Sequence, residues 1–322
     1  PNIRKEKSMA TKPDILVVVP TRPKQMEMLE SAYVLHRHDK ADDRDALVKE
    51  VGEKIRGVVT MGSKGLSGDL LARLPNLEIV ACGSVGYDTV DIDGCKARDI
   101  PVTNTPDVLT NDVADVAMAL TFDIVRGLTR GERWVREGLW RDKGMMPLTT
   151  TLTGKTMGII GYGRIGKAIA QRAEAFEMNV AYHGRTKQDG VSHAYFGSPE
   201  ALAQACDVLM LACPGGDETK GLVSREVLQA LGPDGYVVNI ARGSVIDEPV
   251  LLEFLKEKKI KGAALDVFEN EPKIDETFFA LENVVLQPHV GSGTEETRDA
   301  MSQLVVDNLA AHFAGKPLLT PV

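Results

Sequence analysis

Gly161-Tyr162-Gly163-Arg164-Ile165-Gly166 directly follows an apolar run, Thr156 to Ile160, and opens a helix-like stretch, Lys167 to Phe176. No other feature constrains the chain as much. A G-x-G-x-x-G pattern alone is weak, but between a strand and a helix it specifies a dinucleotide-binding βα turn. Gly161 permits the tight turn, Gly163 lets the backbone approach a pyrophosphate, and Gly166 lets the helix pack on the strand. Tyr162, Arg164 and Ile165 sit at the helix N-terminus, where free N–H groups and the positive dipole end face the phosphates.

The rest of the chain fits that start. After Lys155 the strand-like runs read Thr156 to Ile160, Asn179 to His183, Asp207 to Cys213, Tyr236 to Ala241, Gly262 to Val267 and Asn283 to Leu286. Six strands with helices between most of them suit a complete Rossmann cofactor domain. An earlier βα series has runs at Ile15 to Val19, Val58 to Thr60, Leu77 to Cys82 and Pro101 to Thr103. Short apolar runs of this kind suit parallel strands covered on both faces. Between the two series a helical stretch is expected over Asn111 to Glu137, then an irregular segment over Trp140 to Thr153. A last helix, about Glu295 to Phe313, stops before Gly315 and Pro317. The fold class expected is therefore α/β, with two doubly wound parallel-sheet domains.

At 322 residues, with 43% hydrophobic and 26% charged residues, the chain has material for two packed domains. A net charge of −8 argues against a broad nucleic-acid-binding or membrane-surface face. No apolar run is long enough to span a bilayer, and no signal peptide is visible. Cys82, Cys95, Cys206 and Cys213 form no close pair and no metal-like spacing, so a cytoplasmic protein with reduced thiols and no metal is expected. Residues 1–8, ahead of Met9, read as an extension outside the fold.

The end of the second cofactor-domain strand bears on the choice of cofactor. NAD enzymes usually carry an acid there for the ribose hydroxyls. This chain has His183-Gly184-Arg185-Thr186-Lys187, and no acid before Asp189. Arg185 can pair bidentately with a 2′-phosphate and Thr186 can add a hydroxyl, so NADPH is expected over NADH.

Ligands of open α/β sheets bind beyond the carboxyl ends of the strands. Cys213 and Pro214 lie there, as do Ile240, Ala241 and Arg242; Asp266, Glu269 and Glu271; and His289, Gly291 and Ser292. His36, His38 and His193 lie in polar surroundings and read as surface residues, whereas His289 follows an apolar strand and precedes a Gly-Ser-Gly turn. Reducing a ketone requires that the carbonyl be polarised, that a proton reach its oxygen and that any carboxylate be held. Arg242 can serve the first and last, and a protonated His289 can supply the proton. A carboxylate beside His289 would orient the ring, and spacing leaves Asp266, Glu269 and Glu271 all open.

Taken together, Gly161 to Gly166, Asn239-Ile240-Ala241-Arg242-Gly243, Asp266-Val267-Phe268-Glu269-Asn270-Glu271-Pro272 and Pro288-His289-Val290-Gly291-Ser292 resemble the D-2-hydroxyacid dehydrogenase family from about Lys12 onward. Cys82 to Asp88, Thr105 to Thr110 and Gly315 to Val322 are similar to its glyoxylate and hydroxypyruvate reductases. The resemblance implies that Arg242 binds and polarises a small 2-keto acid, that His289 is the acid/base, and that Glu271 is its partner. It implies that Asp266 holds the nicotinamide side, that Val85 and Gly86 offer N–H groups to the substrate carboxylate, and that Ser292 contacts substrate. Gly215-Gly216 and Gly293 depart from the family pattern on the cofactor-side loops.

The same resemblance implies a flavodoxin-like substrate domain of residues 9–106 and 293–322 and a cofactor domain of 107–292, with a cleft between them. It further implies a homodimer through residues 111–151, with Trp140 reaching the partner's substrate site. A reductase of 4-hydroxyphenylpyruvate or another bulkier 2-keto acid, or a non-catalytic corepressor-like scaffold that senses NAD(P), is the alternative. Glu271, where formate dehydrogenases have Gln, argues against that activity, and the short C-terminal tail argues against a phosphoglycerate dehydrogenase with a regulatory tail.

Overall fold

Successive residues of one short strand, Ile15, Leu16 and Val17, are all fully buried, so this strand is covered on both faces. Ile15 and Val17 pack with Val59, Ile79 and Ala81 against Val305, Val306 and Leu309 of the last helix. Leu16 faces the opposite side, with Val58, Val80, Leu71 and Cys95. A computed structural model describes residues 12–322. The expectation for residues 1–8 lies outside the described residues.

The chain divides into two compact units, one running to Val108 and resuming over Glu295–Val322, the other spanning Leu109–Thr294. The first unit contains β1 (Asp14–Val17), β2 (Val34–Arg37), β3 (Ile55–Thr60), β4 (Ile79–Cys82) and β5 (Val102–Thr103). They form a parallel sheet in the order β2-β1-β3-β4-β5. This is the flavodoxin-like order. The sequence reading missed β2, a half-exposed edge strand without an apolar run, whose His36 Nε2 lies 2.6 Å from Asp14 Oδ1 on β1. His36, His38 and His193, expected on the surface, are each partly buried.

The second unit contains β6 (Thr156–Ile160), β7 (Asn179–His183), β8 (Ala194–Tyr195), β9 (Val208–Leu211), β10 (Tyr236–Asn239), β11 (Gly262–Leu265) and β12 (Val284–Leu286). All are parallel, in the order β12-β11-β10-β9-β6-β7-β8. The six expected strands are present, and β8 is a two-residue addition at the edge. Chain order reverses between β6 and β9, the kind of switch point at which such sheets bind ligands. The glycine turn leaves β6 at that point.

The long helix expected over Asn111 to Glu137 is two helices, Thr110–Arg126 and Leu128–Arg136. Gly127 separates them in the left-handed region at φ +65°, a conformation glycine adopts without a Cβ penalty. The segment expected to be irregular from Trp140 begins instead with one helical turn, Leu139–Lys143.

Candidate active site

The glycine turn is closely packed at two of its three glycines and open at the third. Gly161 has φ +95°, and a Cβ there would lie 2.4 Å from the backbone nitrogen of Cys213. A Cβ on Gly166 would lie 2.2 Å from the carbonyl oxygen of Gly161. Gly163 has no neighbour within 4 Å of its Cβ position, so the room above the turn lies there. It is the N-cap of the helix Arg164–Ala175 and supplies no side-chain cap, so the positive end of the helix dipole faces that room. The turn therefore fits a dinucleotide pyrophosphate.

Two residues expected at the cofactor have buried side chains. Tyr162 is 6% exposed, its ring centroid lies 4.5 Å from that of Tyr182, and burial pushes its phenol up to about 12. Cys213 is also buried, with its thiol pushed up to about 11. Ile240 and Ala241 are buried as well. His183 Nδ1 is 2.8 Å from the carbonyl of Phe196. Pro214 is exposed, and Thr219 Oγ1 donates to its carbonyl at 2.7 Å. Arg185 and Thr186 are exposed beyond β7. Gln188, which the sequence reading passed over, fastens this loop: its Nε2 donates to the Tyr162 carbonyl at 2.7 Å and its N–H to Tyr182 Oη at 2.9 Å.

Beyond β10, β11 and β12 the polar groups form one connected arrangement. His289 Nδ1 lies 2.7 Å from Glu271 Oε2, and Glu271 Oε1 accepts the Phe268 N–H at 2.9 Å. Of the three candidate carboxylates, Glu271 is thus the one against His289. Burial pushes Glu271 up, but the His289 hydrogen bond, the Phe268 N–H and the charges of His289 and Arg242 outweigh it, and the carboxyl sits below its ordinary value. Asp266 accepts the N–H groups of Val290 at 2.7 Å and Gly291 at 2.8 Å, fixing the turn after His289. Burial raises Asp266 despite those two donors. A Cβ on Gly291 would stand 3.1 Å from Asp266 Oδ2. Ser292, the next residue, is half-buried. Glu269 is exposed.

Arg242 follows β10 in an Asx-type turn. Asn239 Oδ1 accepts the Ala241 N–H and its Nδ2 donates to the Arg242 carbonyl, both at 2.9 Å. Next to it, a Cβ on Gly243 would lie 1.9 Å from the carbonyl carbon of Phe268. The Arg242 turn therefore rests directly on the backbone of the loop that carries Glu271. Glu248, which is 7% exposed, accepts the Glu269 N–H at 3.0 Å and holds that loop from behind. A strand-ending Asn followed by a turn was a signal available for Asn239. Glu248 gave none, because an acid in a first helical turn reads as an ordinary dipole partner.

In the first unit, Val85 and Gly86 lie half-buried in the turn after β4. Trp140 of the second unit is 61% exposed, in a stretch that also exposes Leu128, Val135, Met145 and Leu148. Among the described residues no group of three His, Cys, Asp or Glu is arranged to hold a metal ion, and no helix is long and apolar enough to cross a membrane.

A nucleotide-binding turn at a sheet switch point, with an Arg and a His–carboxylate pair on the same rim, defines a nicotinamide-dependent dehydrogenase. Residues 118–291 match the model of the D-isomer specific 2-hydroxyacid dehydrogenase NAD-binding domain. The chain belongs to this family. It is 48% identical over 308 residues to glyoxylate/hydroxypyruvate reductase A of Arabidopsis thaliana, covering 96% of this chain and 98% of that protein. It is 47% identical over 309 residues to hydroxyphenylpyruvate reductase of Plectranthus scutellarioides, covering 96% and 98%. Among solved structures it is similar to the NADPH-dependent glyoxylate/hydroxypyruvate reductase of Sinorhizobium meliloti in complex with NADP and malonate. There the TM-score is 0.92 at 44% identity, with 97% of each chain covered.

Proposed function

We propose that the chain reduces small 2-keto acids, glyoxylate and hydroxypyruvate above all, to 2-hydroxy acids with NADPH. The observation that carries this reading is the Glu271–His289 pair on the same rim as Arg242. Reduced nicotinamide, when bound, supplies the hydride. Arg242 pairs with the keto acid and polarises its carbonyl, while the amides of Val85 and Gly86 receive the carboxylate. With Nδ1 turned to Glu271, His289 uses Nε2 to protonate the carbonyl oxygen as the hydride arrives at carbon. Ser292 contacts the substrate. Asp266 serves the nicotinamide side.

The backbone of Gly161 to Gly166 takes the pyrophosphate. His183, Cys213, Pro214, Ile240, Ala241 and Gly291 complete the cofactor contacts. Arg185 and Thr186 read the 2′-phosphate, with NADH the weaker cofactor. The exposed apolar side chains between Leu128 and Leu148 support a homodimer through residues 111–151, with Trp140 at the partner's substrate entrance. We place the enzyme in the cytoplasm on its four free cysteines, the state thiols keep in a reducing compartment.

A hydroxyphenylpyruvate reductase is the second reading, favoured by the relative of that name at 47% identity. Following reduced-nicotinamide absorbance with glyoxylate, hydroxypyruvate and 4-hydroxyphenylpyruvate, each with NADPH and NADH, decides between them. The highest kcat/KM for the aromatic acid would reject the small-substrate reading. No turnover of any of the three would reject both.

A further inference from the structure

Ser84 Oγ accepts the Gly62 N–H at 2.7 Å and donates to the Gly86 carbonyl at 2.7 Å. One hydroxyl thus joins the turn after β3 to the turn after β4. The neighbouring carbonyls are taken up as well. The Val85 carbonyl accepts from Asn104 Nδ2 at 3.0 Å, and the Ser84 carbonyl accepts from the Thr105 N–H at 3.1 Å. Three successive carbonyls, of Ser84, Val85 and Gly86, are therefore bonded into the protein. The N–H groups of Val85 and Gly86 meet no acceptor among the described residues. The β3 turn also approaches closely: a Cβ on Gly62 would lie 2.3 Å from the Gly86 carbonyl oxygen and 3.0 Å from Ser84 Oγ. Thr89 Oγ1 holds Gly62 from the other side through its carbonyl, at 2.8 Å.

We infer that Ser84 and Asn104 are positioning residues that hold the Val85–Gly86 turn with its carbonyls bonded inward and its amides free for a carboxylate. The physical reason is that a peptide unit presents its N–H end to an anion only while its carbonyl is kept from turning toward the same place. Successive N–H groups held this way form an anion-binding concavity. Asn104 holds the carbonyl of the peptide unit that carries the Gly86 N–H, and the Thr105 N–H holds that of the unit carrying the Val85 N–H, while Ser84 Oγ fixes the next carbonyl, of Gly86, and so pins the far end of the turn to Gly62. Neither side chain needs to touch the substrate. Burial strengthens the arrangement, since Asn104 is only 9% exposed and Thr105 is fully buried.

This inference rests on the proposed keto-acid reading for the identity of the anion, and the test separates the two. Ser84→Ala, Ser84→Thr and Asn104→Ala would be assayed beside the wild type. The readouts are glyoxylate kinetics, KM for NADPH, and the rise in melting temperature caused by oxalate at saturating NADPH. Ser84→Ala and Asn104→Ala should each raise the glyoxylate KM on the order of tenfold. The oxalate concentration needed for half the thermal shift should rise by a similar factor. KM for NADPH and kcat should stay within about twofold, a split that general loss of structure would not produce. Ser84→Thr, which keeps the hydroxyl, should recover most of the loss. Unchanged glyoxylate KM and oxalate response in both alanine variants would overturn the inference. If Ser84→Ala gives no cooperative melting, Asn104→Ala carries the test. If the wild type reduces no keto acid, the proposed function fails, and the oxalate shift of wild type against variants still decides the positioning role. A wild type with no oxalate shift rejects it.

Discussion

Glu271 Oε2 lies 2.7 Å from His289 Nδ1 while the other oxygen of the same carboxylate accepts the Phe268 N–H. The carboxylate is thus anchored to backbone at one end and orients the imidazole with the other. His289 itself sits at φ +55°, in the left-handed region. Asn tolerates that region better than most residues, so His289→Asn leaves the backbone in place. His289→Asn and Glu271→Gln should each lower kcat by about 10²–10⁴-fold, the usual contribution of a general acid–base group. NADPH affinity, read by fluorescence titration, should barely change. A near-normal kcat in His289→Asn would remove His289 from the chemistry.

Arg242 sits on a turn shaped by Asn239 and seated on Phe268 through Gly243. Arg242→Ala should lower kcat/KM for glyoxylate on the order of 10²–10⁴-fold, as two charge-assisted hydrogen bonds are lost. Arg242→Lys should recover little of this, because a point charge does not reproduce a planar two-point contact. Full recovery with Lys would show that charge alone matters.

Arg185 is exposed beyond β7, on the loop that Gln188 fastens to the glycine turn. Arg185→Ala should raise KM for NADPH roughly 10- to 100-fold, and far less for NADH, which lacks the 2′-phosphate. The wild-type preference should narrow at high salt, since an exposed charge pair is screened. Equal losses for both cofactors would take Arg185 out of cofactor selection.

Trp140 exposes most of its surface, beside the exposed Met145 and Leu148. Trp140→Ala should shift preference toward bulkier keto acids, by about 1–3 kcal/mol per lost apolar contact, with NADPH affinity kept. In the homodimer proposed above, a mixed dimer of Trp140→Ala with Arg242→Ala subunits locates the effect. Only the first subunit has a competent Arg, and its site would take Trp140 from the partner. Wild-type selectivity at that site supports crossing. Selectivity like the Trp140→Ala homodimer would assign the Trp to its own subunit.

Burial raises the thiols of Cys95 and Cys213 to about 11 and that of Cys206 to about 12. A raised thiol pKa leaves little thiolate at neutral pH, roughly one part in a thousand at pH 8 for the first two. Alkylation of these cysteines in the folded protein should be slow and should still climb with pH above 9, without a plateau. Mass spectrometry after brief iodoacetamide exposure reads this site by site. A plateau at any of the three near pH 8 to 9 would contradict the burial argument for that thiol.

Much of the site was legible because its signals are local. The glycine turn, the strand runs before Arg242, Asp266 and His289, and the helix stop at Gly315 each lie within a few contiguous residues. Backbone chemistry acts over that range: a left-handed turn needs Gly, and a doubly covered strand needs an unbroken apolar run. Gly127 was a signal of the same kind, read through rather than as the break between two helices. The edge strands β2 and β8 were illegible because they are short and half-exposed, with no apolar run to announce them.

What the tertiary structure decided is which groups meet. Asp266, Glu269 and Glu271 were equivalent partners for His289 by spacing. The choice of Glu271 comes from the path of the loop, set where Gly243 packs on Phe268 and Glu248 bonds Glu269. Tyr162 belongs to the glycine motif by sequence, yet its ring is drawn into a cluster with Tyr182, a residue of the next strand. Asn104 reaches the Val85 carbonyl across 19 residues of chain. A short motif specifies its own backbone, but a side chain's partner depends on where distant segments arrive once the sheet has assembled, and hydrophobic packing sets those positions without leaving a local mark in the residues it brings together.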